Sequence, residues 1–220
     1  MRRKALVGLA VAGLAVGLPA AALATFTQVS KIVLTATKSG QSSGINANVH
    51  AKGTTPEQAK RLVATFPTGT TFRPGTVPAC KLTNKQIESG KKCPKSSQIG
   101  TGSAVAKTIV GNVNAKVGAF ASGNKNMVLV GTVTSPTTAY TVIRAVTSKN
   151  VLNVGPIPNK ASGLPITLTS LKVNLPKRGT GNHALVTAGK CVNHKFTVTS
   201  AFTYYSGSPV MTSSSSSCTG

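Results

Sequence analysis

The chain contains no aspartate and no tryptophan, and its only carboxylate side chains in 220 residues are Glu57 and Glu88. That scarcity excludes whole classes of chemistry. A glycosidase needs two carboxylates flanking the scissile bond, and the pair would have to be Glu57 and Glu88, which fall on separate connecting segments. A Ser-His-Asp triad is impossible without aspartate, and no G-x-S-x-G turn occurs. Calcium loops fail for the same want of oxygen ligands. Serine-lysine chemistry survives the shortage, but its two S-x-x-K matches, Ser89 with Lys92 and Ser122 with Lys125, are about as many as chance supplies among 21 serines and 19 lysines. The companion S-D-N and K-T-G motifs are missing. The composition therefore points away from an enzyme and calls for no cofactor.

Long apolar runs are scarce too, once the first two dozen residues are set aside. Arg2-Arg3-Lys4, an apolar run over 5–18, Pro19 and Ala22-Leu23-Ala24 read as a signal peptide over 1–24, cleaved before Thr25. The remainder, 25–220, reads as one domain without a membrane span. Cysteine is sparse, and its even count of four, Cys80, Cys93, Cys191 and Cys218, suits an oxidising compartment. Both signs predict a secreted, extracellular protein, free or associated with the cell wall. Three pairings are open. Sequence neighbours, Cys80 with Cys93 and Cys191 with Cys218, are favoured because each pair brackets a segment with little else to hold it, and closing loops of about this size is worth roughly 3 kcal/mol. Zinc is disfavoured, since no spacing is C-x2-C and His50, His183 and His194 do not stand at ligand-like intervals from a cysteine pair.

What the chain has in abundance is β-branched alternation punctuated by Gly, Pro, Asn and Ser. It predicts strands over 26–37, 45–52, 61–66, 98–109, 114–121, 127–134, 139–147, 151–154, 166–175, 184–188 and 195–205, with a further one over 210–214. Many short strands at this spacing imply an all-β sandwich or barrel, and the expectation adopted is a single β-sandwich of immunoglobulin-like or jelly-roll-like kind. Two short helical turns interrupt it. Thr55-Pro56-Glu57-Gln58 and Thr83-Asn84-Lys85-Gln86 each carry a capping Thr with Gln three residues on. Gly100 and Gly102, at the start of the strand after Cys93, predict close backbone approach or a bulge. The serine run 213–217 looks like a flexible tail, but Cys218 would tie it back as an edge segment.

Positive charge is the other abundance: 25 Lys and Arg against two acids give a net of +23. Without Arg2, Arg3 and Lys4 the net is +20, a field that draws polyanions. The densest group is Lys81, Lys85, Lys91, Lys92 and Lys95, in or just beyond the segment closed by Cys80 and Cys93. A second contains Lys172, Lys177 and Arg178, with Lys190 and Lys195. Sequence-specific nucleic-acid binding is disfavoured, because lysine far outnumbers the arginine that bidentate base readout uses and stacking aromatics are few. Anionic wall polymer, acidic polysaccharide or a phospholipid surface fits better.

The run Phe66-Pro67-Thr68-Gly69-Thr70-Thr71-Phe72, Val77-Pro78-Ala79-Cys80 and Cys93-Pro94-Lys95-Ser96-Ser97-Gln98-Ile99-Gly100-Thr101-Gly102-Ser103-Ala104, with Cys191, Phe196, Phe202-Thr203-Tyr204, Gly207 and Cys218, resembles a signature of uncharacterised exported β-proteins of high-GC Gram-positive bacteria. The resemblance implies a secreted two-disulfide β-fold and supplies no activity; the lysines of the first cysteine loop depart from it. The expected function is a non-catalytic cell-envelope or extracellular protein that binds anionic polymers through the lysine groups. The alternative is an adhesin-like or inhibitor-like protein-binding module that uses an apolar edge or the loop 72–78.

Overall fold

The structure, a computed structural model, describes residues 26–219 apart from 54, 55, 110, 136, 137, 162 and 208. The signal-peptide reading of 1–24 and the cap assigned to Thr55 lie outside the described residues. The fold is all-β with two disulfides. Its elements are β1 (Phe26–Leu34), β2 (Ile45–Gly53), β3 (Ala59–Thr65), β4 (Thr71–Phe72), α1 (Asn84–Glu88), β5 (Gln98–Thr108), β6 (Gly111–Ala121), β7 (Asn126–Val133), β8 (Ala139–Ser148), β9 (Val151–Val154), β10 (Lys160–Ala161), β11 (Leu164–Pro165), β12 (Thr167–Leu175), β13 (Val186–Thr187), β14 (Lys195–Tyr204) and β15 (Pro209–Ser217). No helix among the described residues is long and apolar enough to cross a membrane.

Eleven strands form one sheet, in the order β1-β2-β12-β5-β6-β7-β8-β9-β3-β14-β15. All its ladder pairs are antiparallel. This corrects the sandwich expectation: the pairing never breaks into two sheets, so strand twist accumulates until the edge strands meet in a nearly closed barrel. The seam between β1 and β15 is made largely by side chains. Ser214 Oγ donates to Ile32 O at 2.7 Å and accepts from Ile32 N at 3.0 Å, and Ser216 Oγ donates to Leu34 O at 3.1 Å. Beyond them Thr219 N donates to Thr37 O at 2.7 Å. The serine run is thus an edge strand whose alternate hydroxyls substitute for ladder bonds.

Of the two expected helical turns, the second is present. Thr83 Oγ1 caps Gln86 N, and the Gln86 side chain returns to Thr83 N. Residues 56–58 are not helical. Glu57 instead accepts from Ser206 N and Ser206 Oγ at 2.7 and 2.9 Å, and Gln58 accepts from Leu168 N at 2.6 Å. Tertiary partners there outbid a single turn of helix, which is intrinsically marginal.

The core runs along the inner side of the sheet. Phe66, Phe196, Phe202 and Tyr204, the last three spread over the length of β14, are buried in it with Ile32, Leu34 and Leu175. The inner faces of β1 and β14 touch directly: Ser30 Oγ donates to Ser200 Oγ at 3.2 Å, and Tyr204 Oη donates to Gln28 Oε1 at 2.9 Å. Burial, and to a lesser degree the charge of Glu57, push the Tyr204 hydroxyl up from 10.0 to about 12. The folded chain then holds this proton more tightly than the unfolded chain does. Its stabilising effect is complete below pH 10 and is lost as pH rises to about 12. In denaturant titrations at several pH values, the stability gap between the parent and Tyr204→Phe is expected to narrow over that interval by on the order of 2 kcal/mol. Parallel stability curves would contradict the assignment.

Candidate functional site

Strand alternation sorts each strand of the sheet into an inner and an outer set. Along β1, Gln28, Ser30, Ile32 and Leu34 are buried while Lys31 is exposed. The ladder register then carries Lys31 across the outer face: Lys31 pairs Asn48, Asn48 pairs Lys172, Lys172 pairs Ser103, Ser103 pairs Lys116, Lys116 pairs Thr132 and Thr132 pairs Tyr140. Lys31, Lys172 and Lys116 thus recur at every second strand, about 10 Å apart at the usual spacing between strands. All three are exposed. Asn46, Asn174 and Thr101 form the adjoining row. Together with Lys31, Asn48, Ser103 and Lys172 they line a shallow open depression of about 580 Å³. Asn48 Oδ1 is buried within it without a hydrogen-bond partner among the described residues.

The first cysteine loop meets the far end of this row. The Cys80–Cys93 disulfide closes a segment whose Ile87 packs on Val128 and Val142, outer-face residues of β7 and β8. Arg144 clamps it, donating through Nε to Asn84 Oδ1, through Nη2 to Leu82 O and through Nη1 to Ser122 Oγ, at 2.8, 2.8 and 2.9 Å. Gly90 stands against the Tyr140 ring, where an added Cβ would lie 3.6 Å from Cε2. Lys91 and Lys92, both exposed, follow Gly90 directly and so extend the lysine row beyond Tyr140. Lys81 and Lys85 are exposed on the same loop. Arg178 lies at another margin, where its Nη1 donates to Gln98 O at 2.7 Å; Lys177 is its exposed neighbour, and Lys95 is exposed three residues before Gln98.

Of the sequence-derived cations, then, Lys172 lies in the middle of the row and Lys91 and Lys92 at its end. Lys81, Lys85, Lys95, Lys177 and Arg178 lie outside it, as does Lys195, which starts β14 on the other side of β15 from β1. Lys31 and Lys116 were missed: each is isolated in sequence, and only the register joins them. Both disulfides join sequence neighbours, Cys191 with Cys218 being the second.

Three of the groups weighed for chemistry, Ser89, Ser122 and Glu57, are tied into structural bonds. Ser122 Oγ donates to Cys80 O at 3.1 Å, Ser89 Oγ donates to Gln86 O at 2.8 Å, and Glu57 holds Ser206. The loop 72–78 is packed rather than free. Phe72 meets Phe66 edge to face with centroids 5.0 Å apart, Pro74 and Val77 are buried, and Arg73 N donates to Leu185 O.

A second concavity lies on the inner face. Inward positions of β5, β6, β7, β8 and β12, with Ala161, Leu164 and Ile166, surround an apolar cavity of about 210 Å³, lined by no charged side chain among the described residues. No family model, no curated protein and no solved structure matches the chain.

Proposed function

We propose that this is a secreted, non-catalytic protein of the cell envelope or extracellular space that binds anionic polymers across the outer face of its sheet. The observation that carries the reading is the row Lys31–Asn48–Lys172–Ser103–Lys116, three cations interleaved with neutral hydrogen-bonding side chains. A linear polyanion laid across the strands would meet a positive charge about every 10 Å. Asn, Ser and Thr side chains between the lysines are suited to its hydroxyl or phosphate oxygens, and the first cysteine loop prolongs the track. Lysine, a flexible point charge, suits a polymer of irregular geometry better than a site demanding planar recognition.

The test is retention of the full chain on heparin-like polysaccharide and on polyphosphate across a salt gradient. It is run beside Lys31→Gln/Lys116→Gln/Lys172→Gln and beside a loop variant with Lys81, Lys85, Lys91, Lys92 and Lys95 changed to Gln. The row variant is expected to lose roughly tenfold or more in affinity at physiological salt, and its log-log salt slope to fall by about 2, since each neutralised charge contributes roughly 0.7 to 0.9. Elution of the row variant together with the parent would sink the proposal. Losses confined to the loop variant would move the site to the Cys80–Cys93 segment.

A further inference from the structure

The cations of the outer face stand in single file. Lys31, Lys172 and Lys116 belong to β1, β12 and β6, and the strands between them, β2 and β5, contribute Asn48 and Ser103 at the same level. Cation and neutral group thus alternate over four strand spacings, about 19 Å. The row on one side carries Val33, Asn46, Asn174 and Thr101, and the row on the other carries His50 and Ser170, with no lysine in either. A polymer laid across the strands therefore meets its counter-charges at every second strand and nowhere between. An extended pyranose residue is close to one strand spacing long, about 5 Å. In a ribbon-like glycan alternate residues face the same way, so a carboxylate on every second sugar falls on the lysine period and on one side of the chain. Polyphosphate is charged on every unit, and most of its charges would lie over Asn48, Ser103 and the gaps between rows.

The neutral groups discriminate in the same direction. Lysine only donates hydrogen bonds, whereas Asn46, Asn48 and Asn174 each offer an amide oxygen that accepts. All three line the depression of about 580 Å³ between Lys31 and Lys172. Asn48 Oδ1 has no hydrogen-bond partner among the described residues and is shielded from solvent. An acceptor left in that state costs free energy until a donor reaches it. Because no hydrogen bond holds this oxygen, turning it toward a ligand breaks none. A sugar hydroxyl supplies the donor, while a polyphosphate chain brings acceptors only. Where the amide row reaches β6 it meets Gly118, paired with Thr101, and the half-buried Phe120 ring lies over that glycine, its Cε2 2.6 Å from where a Cβ would stand. An apolar ring at the end of an amide row suits the C–H face of a sugar and has no counterpart in a phosphate chain.

Resting on the polyanion reading above, we propose that this face selects an acidic polysaccharide in which a carboxylated sugar alternates with a neutral one. Its carboxylates meet Lys31, Lys172 and Lys116, and its hydroxyls meet Asn46, Asn48 and Asn174. The test titrates the full chain with hyaluronan oligosaccharides, in which glucuronate alternates with N-acetylglucosamine, and with polyphosphate of matched length. Affinity for hyaluronan is expected to rise steeply up to the hexasaccharide, which spans the row, and only slightly beyond it. The hexasaccharide should bind more tightly than the polyphosphate, and its lead should widen with salt, because the more highly charged polymer loses more to screening. Asn46→Ala/Asn48→Ala/Asn174→Ala should weaken the hexasaccharide about tenfold or more, each lost hydrogen bond being worth roughly two- to tenfold, and should leave polyphosphate within about twofold. The length series and the salt comparison, made on the parent, keep the test decisive if the triple variant does not fold. Tighter binding of polyphosphate, or equal weakening of both ligands by the asparagine variant, would overturn the proposal. Failure of the polyanion reading itself gives a different result: Lys31→Gln/Lys116→Gln/Lys172→Gln would then hold both ligands as the parent does.

Discussion

Gly102→Ala is expected to destabilise the protein by about 3 kcal/mol or more, one of the largest effects of any single substitution in the sheet. Gly102 pairs Val173 of β12 on one side and Val117 of β6 on the other, so its backbone is fixed from both directions. A Cβ at this position would collide with the carbonyl oxygen of Lys172 and press on the Cα of Val173. These are backbone atoms of a central strand, which cannot swing aside as the tip of a flexible side chain does. Relief requires parting β5 from β12, and overpacking of this kind costs roughly 1 to 3 kcal/mol even where side chains alone must move. The measurement is urea unfolding, with a lowered midpoint at unchanged slope as the signature. Gly131 is the control within the same sheet. Its added Cβ would meet Thr141 at 3.8 Å, an ordinary contact, so Gly131→Ala should cost less than about 1 kcal/mol. Equal, small effects at both positions would contradict the close approach.

The double substitution Cys191→Ser/Cys218→Ser is expected to cost about 3 to 4 kcal/mol and to loosen the seam before it loosens the core. The disulfide closes 27 residues of separation that include both β14 and β15, and removing it frees the unfolded chain accordingly. It also unties the end of the edge strand. Cys218 N donates to His194 O, Cys191 N donates to Ser39 Oγ, and Thr219 follows with its bond to Thr37. With that corner released, β15 is held to β1 mainly by Ser214 and Ser216. Amide exchange at Ile32 should therefore accelerate more than at Val128, which sits on β7 far from the corner. Uniform acceleration across both would mean that the bond acts only through global stability.

Most strands were legible because each is long enough to show its period of two: 151–154 agrees with β9 at both ends, and 98–109 and 139–147 agree with β5 and β8 to a residue. β4, β10 and β11 were not, since two-residue strands have no period to read. The helical turn expected around Glu57 and Gln58 is absent from 56–58, where these side chains hold Ser206 and Leu168, partners more than a hundred residues away. The choice of barrel over sandwich hinged on how β1 and β15 meet, and serine hydroxyls bonded to a backbone leave no hydrophobic pattern. The same holds for the site. Clustering along the chain found Lys91 and Lys92, but the row needs four registers to connect Lys31 to Lys116, and register is fixed by packing rather than by composition. The cavity was spelled out in the alanines at 104, 106, 115 and 139, yet these signify space only once they are known to face one another.

The seam also orders events in time. β1 is the first of the described strands to be synthesised and β15 the last, and the hydrogen bonds that join them span 182 residues. Until the final strand arrives, β1 must wait with its outer backbone edge unmet, and a sheet dominated by such distant pairings folds slowly. For that interval the growing chain is an open sheet able to accept a strand from a neighbour. Closure by a few serines is therefore also what ends the chain's exposure to its own copies.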